Sequence, residues 1–318
     1  MSHDELDPQQ TLLPGIEPAD DPALNAVAES ILRDDPDGSR FAGAIRRSID
    51  MLLDGQHTGR YRWDQLFKTE KAHAGTLIEI NLQREFKFTD GKRMDYEIAG
   101  FEVDCKFSQT RFAWMIPPEA HNEIILGVWA SDTDSIWCAG LVRARSEYLN
   151  TGGNRDAKRT LNAVGRSAVK RLFWEAPLQE NLLLKLPRAD IDAIFAPRSG
   201  QKRVNELFLR AQKRRVSRNV VATVAMQDDY MKRVRSNGGA RSNLQPRGIV
   251  ILGDYTSHGA LARQLGLPVP GPGEFVSARL VRLNPDRPVV PYVSLEGERW
   301  TLAREEDAEE LVPKLPTI

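Results

Sequence analysis

The stretch that decides the fold is Asp95-Tyr96-Glu97-Ile98-Ala99-Gly100-Phe101-Glu102-Val103-Asp104-Cys105-Lys106-Phe107. Charged and apolar residues alternate along it at period two, the pattern of a half-buried strand pair. Ala99-Gly100 is the one good turn site inside it. A tight hairpin closed there pairs Ile98 with Phe101, Glu97 with Glu102, Tyr96 with Val103 and Asp95 with Asp104. Cross-strand partners share a face. The pairing therefore predicts Asp95, Glu97, Glu102, Asp104 and Lys106 on one side. Tyr96, Ile98, Phe101, Val103, Cys105 and Phe107 line the other, the core side.

Two aspartates placed opposite each other repel, and a sheet gains nothing from that. A divalent cation between them turns the repulsion into a binding site. Hard oxygen ligands at this density suit Mg²⁺, which keeps waters in its shell. Lys106 lies two residues beyond Asp104 on the same face, so its ammonium reaches the same space. Carboxylates and a lysine around Mg²⁺ are the equipment for hydrolysing a phosphodiester. An ordinary solvated hairpin face can show the same Asp-x-Lys spacing. The apolar run on the opposite face and the segment upstream favour the site.

Asp95, eight residues, then Asp104-Cys105-Lys106 resembles the PD-(D/E)xK nuclease signature. Upstream stand Thr58-Gly59-Arg60, Asp64-Gln65-Leu66, Lys68-Thr69-Glu70-Lys71, Gly75-Thr76-Leu77 and Glu79-Ile80-Asn81-Leu82. With Asp95-Tyr96-Glu97-Ile98-Ala99-Gly100, these ordered blocks resemble the NaeI restriction endonuclease family, and the likeness runs to about residue 300. Met94 stands where the signature's name has a proline, a variable position in such nucleases. The resemblance implies that Glu79 is a helix-borne carboxylate joining Asp95 and Asp104.

Length and composition are compatible with this. At 318 residues the chain suits one large or two ordinary domains. Its 41% hydrophobic and 28% charged residues suit a soluble protein with a real core. Formal net charge is zero, but unevenly spread. The first forty residues are acidic, whereas Lys202 to Arg247 is basic and includes Lys232, Arg233, Arg235 and Arg241. The zero average thus hides a candidate nucleic-acid surface. The two cysteines, Cys105 and Cys138, form no disulfide framework, which fits a reducing cytoplasm. No signal peptide and no membrane-spanning run is read.

Residues 1–21 are polar and proline-bearing, the composition of a mobile segment. Asp21-Pro22 caps a first helix through Ile31 and Leu32. A second carries Phe41, Ile45, Ile49, Leu52 and Leu53 at helical spacing. In Gln56-His57-Thr58-Gly59-Arg60-Tyr61-Arg62-Trp63, basic and aromatic residues interleave as they do against a phosphate backbone. Arg60 and Arg62 are thus candidate DNA contacts, although a surface loop with one anchoring Trp reads the same way. A helix runs from about Ala74 to Phe86. Glu123 to Ala130 and Ile136 to Val142 read as buried strands, so the core is α/β with a mixed sheet.

A second domain is expected from Leu172, giving a mobile 1–21, an endonuclease domain with linker over 22–171 and a DNA-binding domain over 172–318. Leu182-Leu183-Leu184 reads as a short strand. Val204 to Arg214, Arg218 to Met226 and Asp228 to Ser236 read as helices, with a strand over Gly248 to Gly253. That is the order of a winged helix-turn-helix-like α+β domain, though a helical cluster with charged outsides fits as well. Phe275 to Leu283 and Val289 to Leu295 read as closing strands.

Neither Gly152-Gly153-Asn154-Arg155 nor Gly238-Gly239-Ala240-Arg241 has the ending of a phosphate-cradling P-loop. The histidines and cysteines make no zinc pattern. The reading is a Mg²⁺-dependent, site-specific double-strand DNA endonuclease. Asp95, Asp104, the Cys105 carbonyl and Glu79 hold the metal, and Lys106 orients or deprotonates water. The resemblance further implies a homodimer, a palindromic site, a second DNA copy as effector and a cognate methyltransferase. A structure-specific repair or junction nuclease is one rival. A winged-helix regulator with an inactive nuclease half is the other.

Overall fold

The computed structural model describes residues 21–284 and 290–316. The mobile segment expected over 1–21 thus lies outside the described residues except for Asp21, as does Val289. In chain order the helices and strands begin with α1 (Pro22–Asp34), α2 (Ser39–Leu53), α3 (Gly55–Thr58), α4 (Lys68–Ala72) and α5 (Ala74–Phe86). Then come β1 (Thr89–Asp90), β2 (Tyr96–Ile98), β3 (Phe101–Ser108), β4 (Ile124–Ser131), β5 (Ile136–Arg143), α6 (Ala163–Ser167) and β6 (Lys170–Pro177). The later residues form α7 (Leu182–Lys185), α8 (Arg188–Phe195), α9 (Gly200–Arg210), β7 (Arg215–Ser217), α10 (Arg218–Ala225), α11 (Ala240–Leu244) and β8 (Ile249–Leu252). α12 (Thr256–Gln264), β9 (Glu274–Arg282), β10 (Tyr292–Leu295) and β11 (Glu298–Leu302) complete the order. No helix among the described residues is long and apolar enough to cross a membrane.

Contacts divide the described chain into two compact units. The first comprises 21–45, 75–131 and 136–178; the second comprises 46–74, 132–135 and 179–316. Relative to the domain bounds expected from sequence, 46–74 and the turn 132–135 go with the later residues, and 172–178 stay with the earlier ones.

The first unit is built on a six-stranded mixed sheet in the order β1-β2-β3-β4-β5-β6. β3 and β4 are parallel, and the other neighbours are antiparallel. Seven of the eight β4 residues are buried, as a continuous apolar run in a central strand requires. The expected hairpin register is present: Tyr96 with Val103, Glu97 with Glu102, Ile98 with Phe101. Phe101 departs from its expected core position and is 38% exposed, because it sits at the hairpin end beside the turn. Asp21 caps α1, its Oδ1 accepting the Leu24 N–H at 3.0 Å. Phe41 of α2 stacks on Trp137 at 5.7 Å and tilts against Phe173 at 5.6 Å. Burying one such aromatic contributes about 1.5–3 kcal/mol.

In the second unit, β9 lies between β7 and β8 and also pairs with β11, which leads to β10. β8 is apolar throughout because it is covered on both faces. Ile249 and Ile251 join a core with Leu207, Phe208, Val221 and Phe275. Val250 and Leu252 join a second core with Val276, Leu280 and Trp300. α3 packs against α10 so closely that a Cβ at Gly55 would stand 2.1 Å from Thr223 Oγ1. A buried polar network explains where 132–135 belongs. Arg46 donates to Asp50 Oδ1 at 2.8 Å and to Asp132, and Asn181 Nδ2 donates to Asp132 Oδ2 at 3.0 Å.

Two expectations are corrected here. Leu182-Leu183-Leu184 is helical, not a strand; short leucine runs do not distinguish the two by pattern. Asp228 to Ser236 is only a 3-10 turn over Tyr230–Arg233. Its acidic start is consumed by Arg233, which bonds both Asp229 oxygens, and the next helix forms only after Gly238-Gly239, at Ala240.

Candidate active site

The first unit brings Asp95, Asp104, Cys105 and Lys106 together. Alternation along β3 puts the side chains of Asp104 and Lys106 on one face. Lys106 Nζ donates to Asp104 Oδ1 at 2.7 Å and to the Cys105 carbonyl at 3.0 Å, and stands 3.8 Å from Asp95 Oδ2. The ladder between β2 and β3 ends at Tyr96, so Asp95 does not continue it into a backbone pair with Asp104. Instead, Asp95 Oδ2 accepts the Cys105 N–H at 2.7 Å. Asp104 Oδ2 is buried with no hydrogen-bond partner among the described residues.

Burial pushes the Asp104 carboxyl up to about 6, and Asp95 adds to the rise, against the opposing pull of Lys106. Burial works against the Lys106 ammonium, but the charges of Asp104 and Asp95 outweigh it and raise its pKa. Lys106 is therefore held as a cation. Glu79, half-buried on α5, is also raised, first by burial and then by the Asp95 charge, with Lys106 opposing. The Tyr96 hydroxyl donates to the Glu79 carbonyl at 2.7 Å and ties that helix to β2.

Glu102 has a role that alternation alone does not reveal. Alternation alone places it on the face of Asp104. In the structure its carboxylate accepts the backbone N–H groups of Lys92, Arg93 and Met94 at 2.8, 3.0 and 2.8 Å. It thereby fixes the loop that delivers Asp95. Gly91 belongs to the same arrangement, because a Cβ there would stand 2.3 Å from the Met94 carbonyl. The only sequence signal was a glycine ahead of a basic pair near an acid of the hairpin.

Among the described residues, no group of three His, Cys, Asp or Glu side chains is arranged to hold a metal ion by itself. Mg²⁺ commonly takes only one or two carboxylates with waters and substrate phosphate. The buried Asp104 Oδ2, which accepts no hydrogen bond among the described residues, fits such a ligand.

The expected DNA contacts lie in the second unit and differ in availability. Arg60 braces the chain, bonding Glu70 at 2.8 Å and the Leu53 carbonyl at 3.2 Å. Arg62 pairs with Asp64 at 3.1 Å. Lys232 is exposed and 3.8 Å from Asp229, whereas Arg233 grips Asp229 with two bonds. Arg241 turns inward: its Nε donates to the Ile251 carbonyl at 3.0 Å and its guanidinium lies over the Tyr255 ring. Arg235 is exposed and makes no side-chain bond or ion pair among the described residues.

A family model described as "Restriction endonuclease NaeI" matches residues 25–311. The "Type II restriction enzyme NaeI" of Lentzea aerocolonigenes is 50% identical over 294 residues, covering 90% of this chain and 92% of that protein. The chain therefore belongs to the NaeI restriction endonuclease family, and with it to the type II restriction enzymes, which are site-specific deoxyribonucleases.

Proposed function

We propose that the protein hydrolyses double-stranded DNA at a palindromic site with Mg²⁺, using Asp95, Asp104, Lys106 and Glu79. The observation that carries this is the Lys106 ammonium held between Asp104 and the Cys105 carbonyl, beside an aspartate oxygen with no hydrogen-bond partner among the described residues. Asp95, Asp104 and the Cys105 carbonyl would hold the ion, with Glu79 supplying a further carboxylate. When bound, Mg²⁺ supplies positive charge against the phosphate oxygens and makes water more acidic. Lys106, kept as an ammonium, orients the attacking water and offsets phosphate charge. That role suits its raised pKa better than proton abstraction. Hydrolysis in line leaves 5′-phosphate and 3′-hydroxyl ends.

In the second unit, α9, β7, α10, α11, β8 and β9 follow the order of a winged helix-turn-helix, with α12 inserted between the last two strands. We read this part as the DNA-binding domain that captures an effector copy. Symmetric cutting of a palindrome calls for a homodimer. A cytoplasmic enzyme with a cognate methyltransferase completes the reading.

Supercoiled plasmid and Mg²⁺ test it. Asp104→Ala should abolish cutting while specific DNA binding persists. Lys106→Ala should lower turnover far more than DNA or Mg²⁺ affinity, since it acts in the transition state. Near-normal cutting by Asp104→Ala would remove this site from consideration. Discrete end-mapped fragments separate a site-specific enzyme from a junction nuclease, and any Mg²⁺-dependent nicking counts against an inactive regulator.

A further inference from the structure

We propose that the turn at Gln109-Thr110, directly after β3, reads base edges beside the phosphate being cut. The inference rests on Asp104 and Lys106 being the cutting residues. Lys106 and Ser108 share a face of β3, so the strand leaves the candidate site from that face into the turn. At about 3.3 Å per residue, Gln109 lies on the order of 10 Å along the chain from Lys106. The major groove is about 8.5 Å deep. A chain bound to a phosphate through Lys106 can therefore present Gln109 to the bases.

The turn is held rigidly, as a reading element must be. The Trp129 indole N–H donates to the Gln109 carbonyl at 2.8 Å. The Thr110 N–H donates to Ser108 Oγ at 3.1 Å, and the Ala113 N–H to the Thr110 carbonyl at 3.1 Å. The Arg111 guanidinium lies 4.4 Å over the Trp129 ring and pairs with Glu175 at 2.7 Å. Phe112 is held at φ 60°, a costly conformation for a bulky residue, which these anchors enforce. The backbone is anchored at these points, while the side chains of Gln109 and Thr110 are exposed and bond to no described residue. A free carboxamide and a free hydroxyl are the groups that read bases. Arg111 is already paired with Glu175, and the positive charge open to a polyanion beside this anchor is the exposed Arg171, stacked 4.4 Å over Trp174.

The test begins with end-mapping to find the wild-type site. Gln109→Ala and Thr110→Val are then compared with wild type on the cognate duplex and on duplexes bearing each single base-pair substitution. At least one variant should lose discrimination by about 5- to 150-fold at one base-pair position and its symmetry mate, as expected for one base contact. The other positions should keep their discrimination. Trp129→Phe, which loosens the turn, should blur the same position. An unchanged profile in both variants, or a loss of equal size at every position, would overturn the proposal; the latter would mark a phosphate contact. Asp104→Ala separates the two ideas. If it is inactive while both turn profiles are unchanged, only the base-reading inference falls. If it still cuts, the cutting-site reading falls with it.

Discussion

The Tyr96 hydroxyl donates to the Glu79 carbonyl at 2.7 Å, joining α5 to the strand that follows Asp95. Tyr96 is fully buried, and its bond to the Glu79 backbone ties the helix that carries the Glu79 carboxylate to the strand that follows Asp95. Tyr96→Phe keeps the ring and removes the hydroxyl, which makes this link and also faces the Cys105 thiol. Stability should fall by about 0.5–1.5 kcal/mol, the net worth of one such bond. The single-turnover cleavage rate should fall by roughly tenfold, the effect of about 1.4 kcal/mol in a barrier, with little change in DNA affinity. A variant less stable by that amount but cutting at the normal rate would show that Tyr96 serves folding alone.

Asp104 gives the metal-free protein a pH signature. Its folded pKa is about 6, above the ordinary 3.8, because burial disfavours the carboxylate. Between those values the folded state keeps a proton that the unfolded state has released. Stability should therefore fall as pH rises through this window. Asp104→Asn cannot ionise and should lack that slope in urea titrations between about pH 4 and 7 in chelator. At pH 7, adding Mg²⁺ should raise wild-type stability by about 2.7 kcal/mol at a hundred times its Kd. The variant should gain far less. Equal Mg²⁺ stabilisation of both proteins would count against Asp104 as a ligand.

His258 should act with the opposite sign. It is 2% exposed, and its Nδ1 accepts the Gly253 N–H at 3.0 Å. Burial, with the Arg241 charge nearby, lowers it from 6.5 to about 4. The unfolded state then binds a proton that the folded state refuses. Its contribution is fully present above pH 6.5 and lost as pH falls toward about 4. Placing His258→Gln in the Asp104→Asn background, where the opposing slope is gone, should flatten the acid loss. An unchanged acid slope would mean that other groups dominate it.

The basic residues after Asp228 should separate into two kinds. Arg235 is exposed and without a partner among the described residues, whereas Arg233 is bound to Asp229 by two bonds. Arg235→Ala should reduce the log–log salt slope of DNA binding by about 0.9, one phosphate contact. Arg233→Ala should lower the unfolding midpoint and leave the salt slope nearly unchanged. With both neutralised, cleavage of single-site DNA should slow, and added target duplex should help less than it helps wild type. Equal salt slopes in wild type and Arg235→Ala would take Arg235 off the DNA surface.

The sequence by itself determined the elements whose causes are local. Period-two alternation around Ala99-Gly100 specified the register of Tyr96 to Ile98 against Phe101 to Val103. A one-residue slip there would send every core side chain to the other face. An apolar run specified β4 as a central strand, and Asp21-Pro22 specified the start of α1. The spacing of Asp104 and Lys106 placed both side chains on one face, where they meet at 2.7 Å. Only the tertiary structure decided what depends on partners distant in sequence. Glu102 is spent on the loop before Asp95 because three amides converge there, a geometry no alternation encodes. Arg241 turns inward because the Ile251 carbonyl and the Tyr255 ring, ten and fourteen residues on, lie within its reach. Residues 132–135 join the second unit because Arg46 and Asn181 satisfy a buried Asp132. A buried charge must find such partners wherever the fold supplies them, and their position along the chain carries no local pattern.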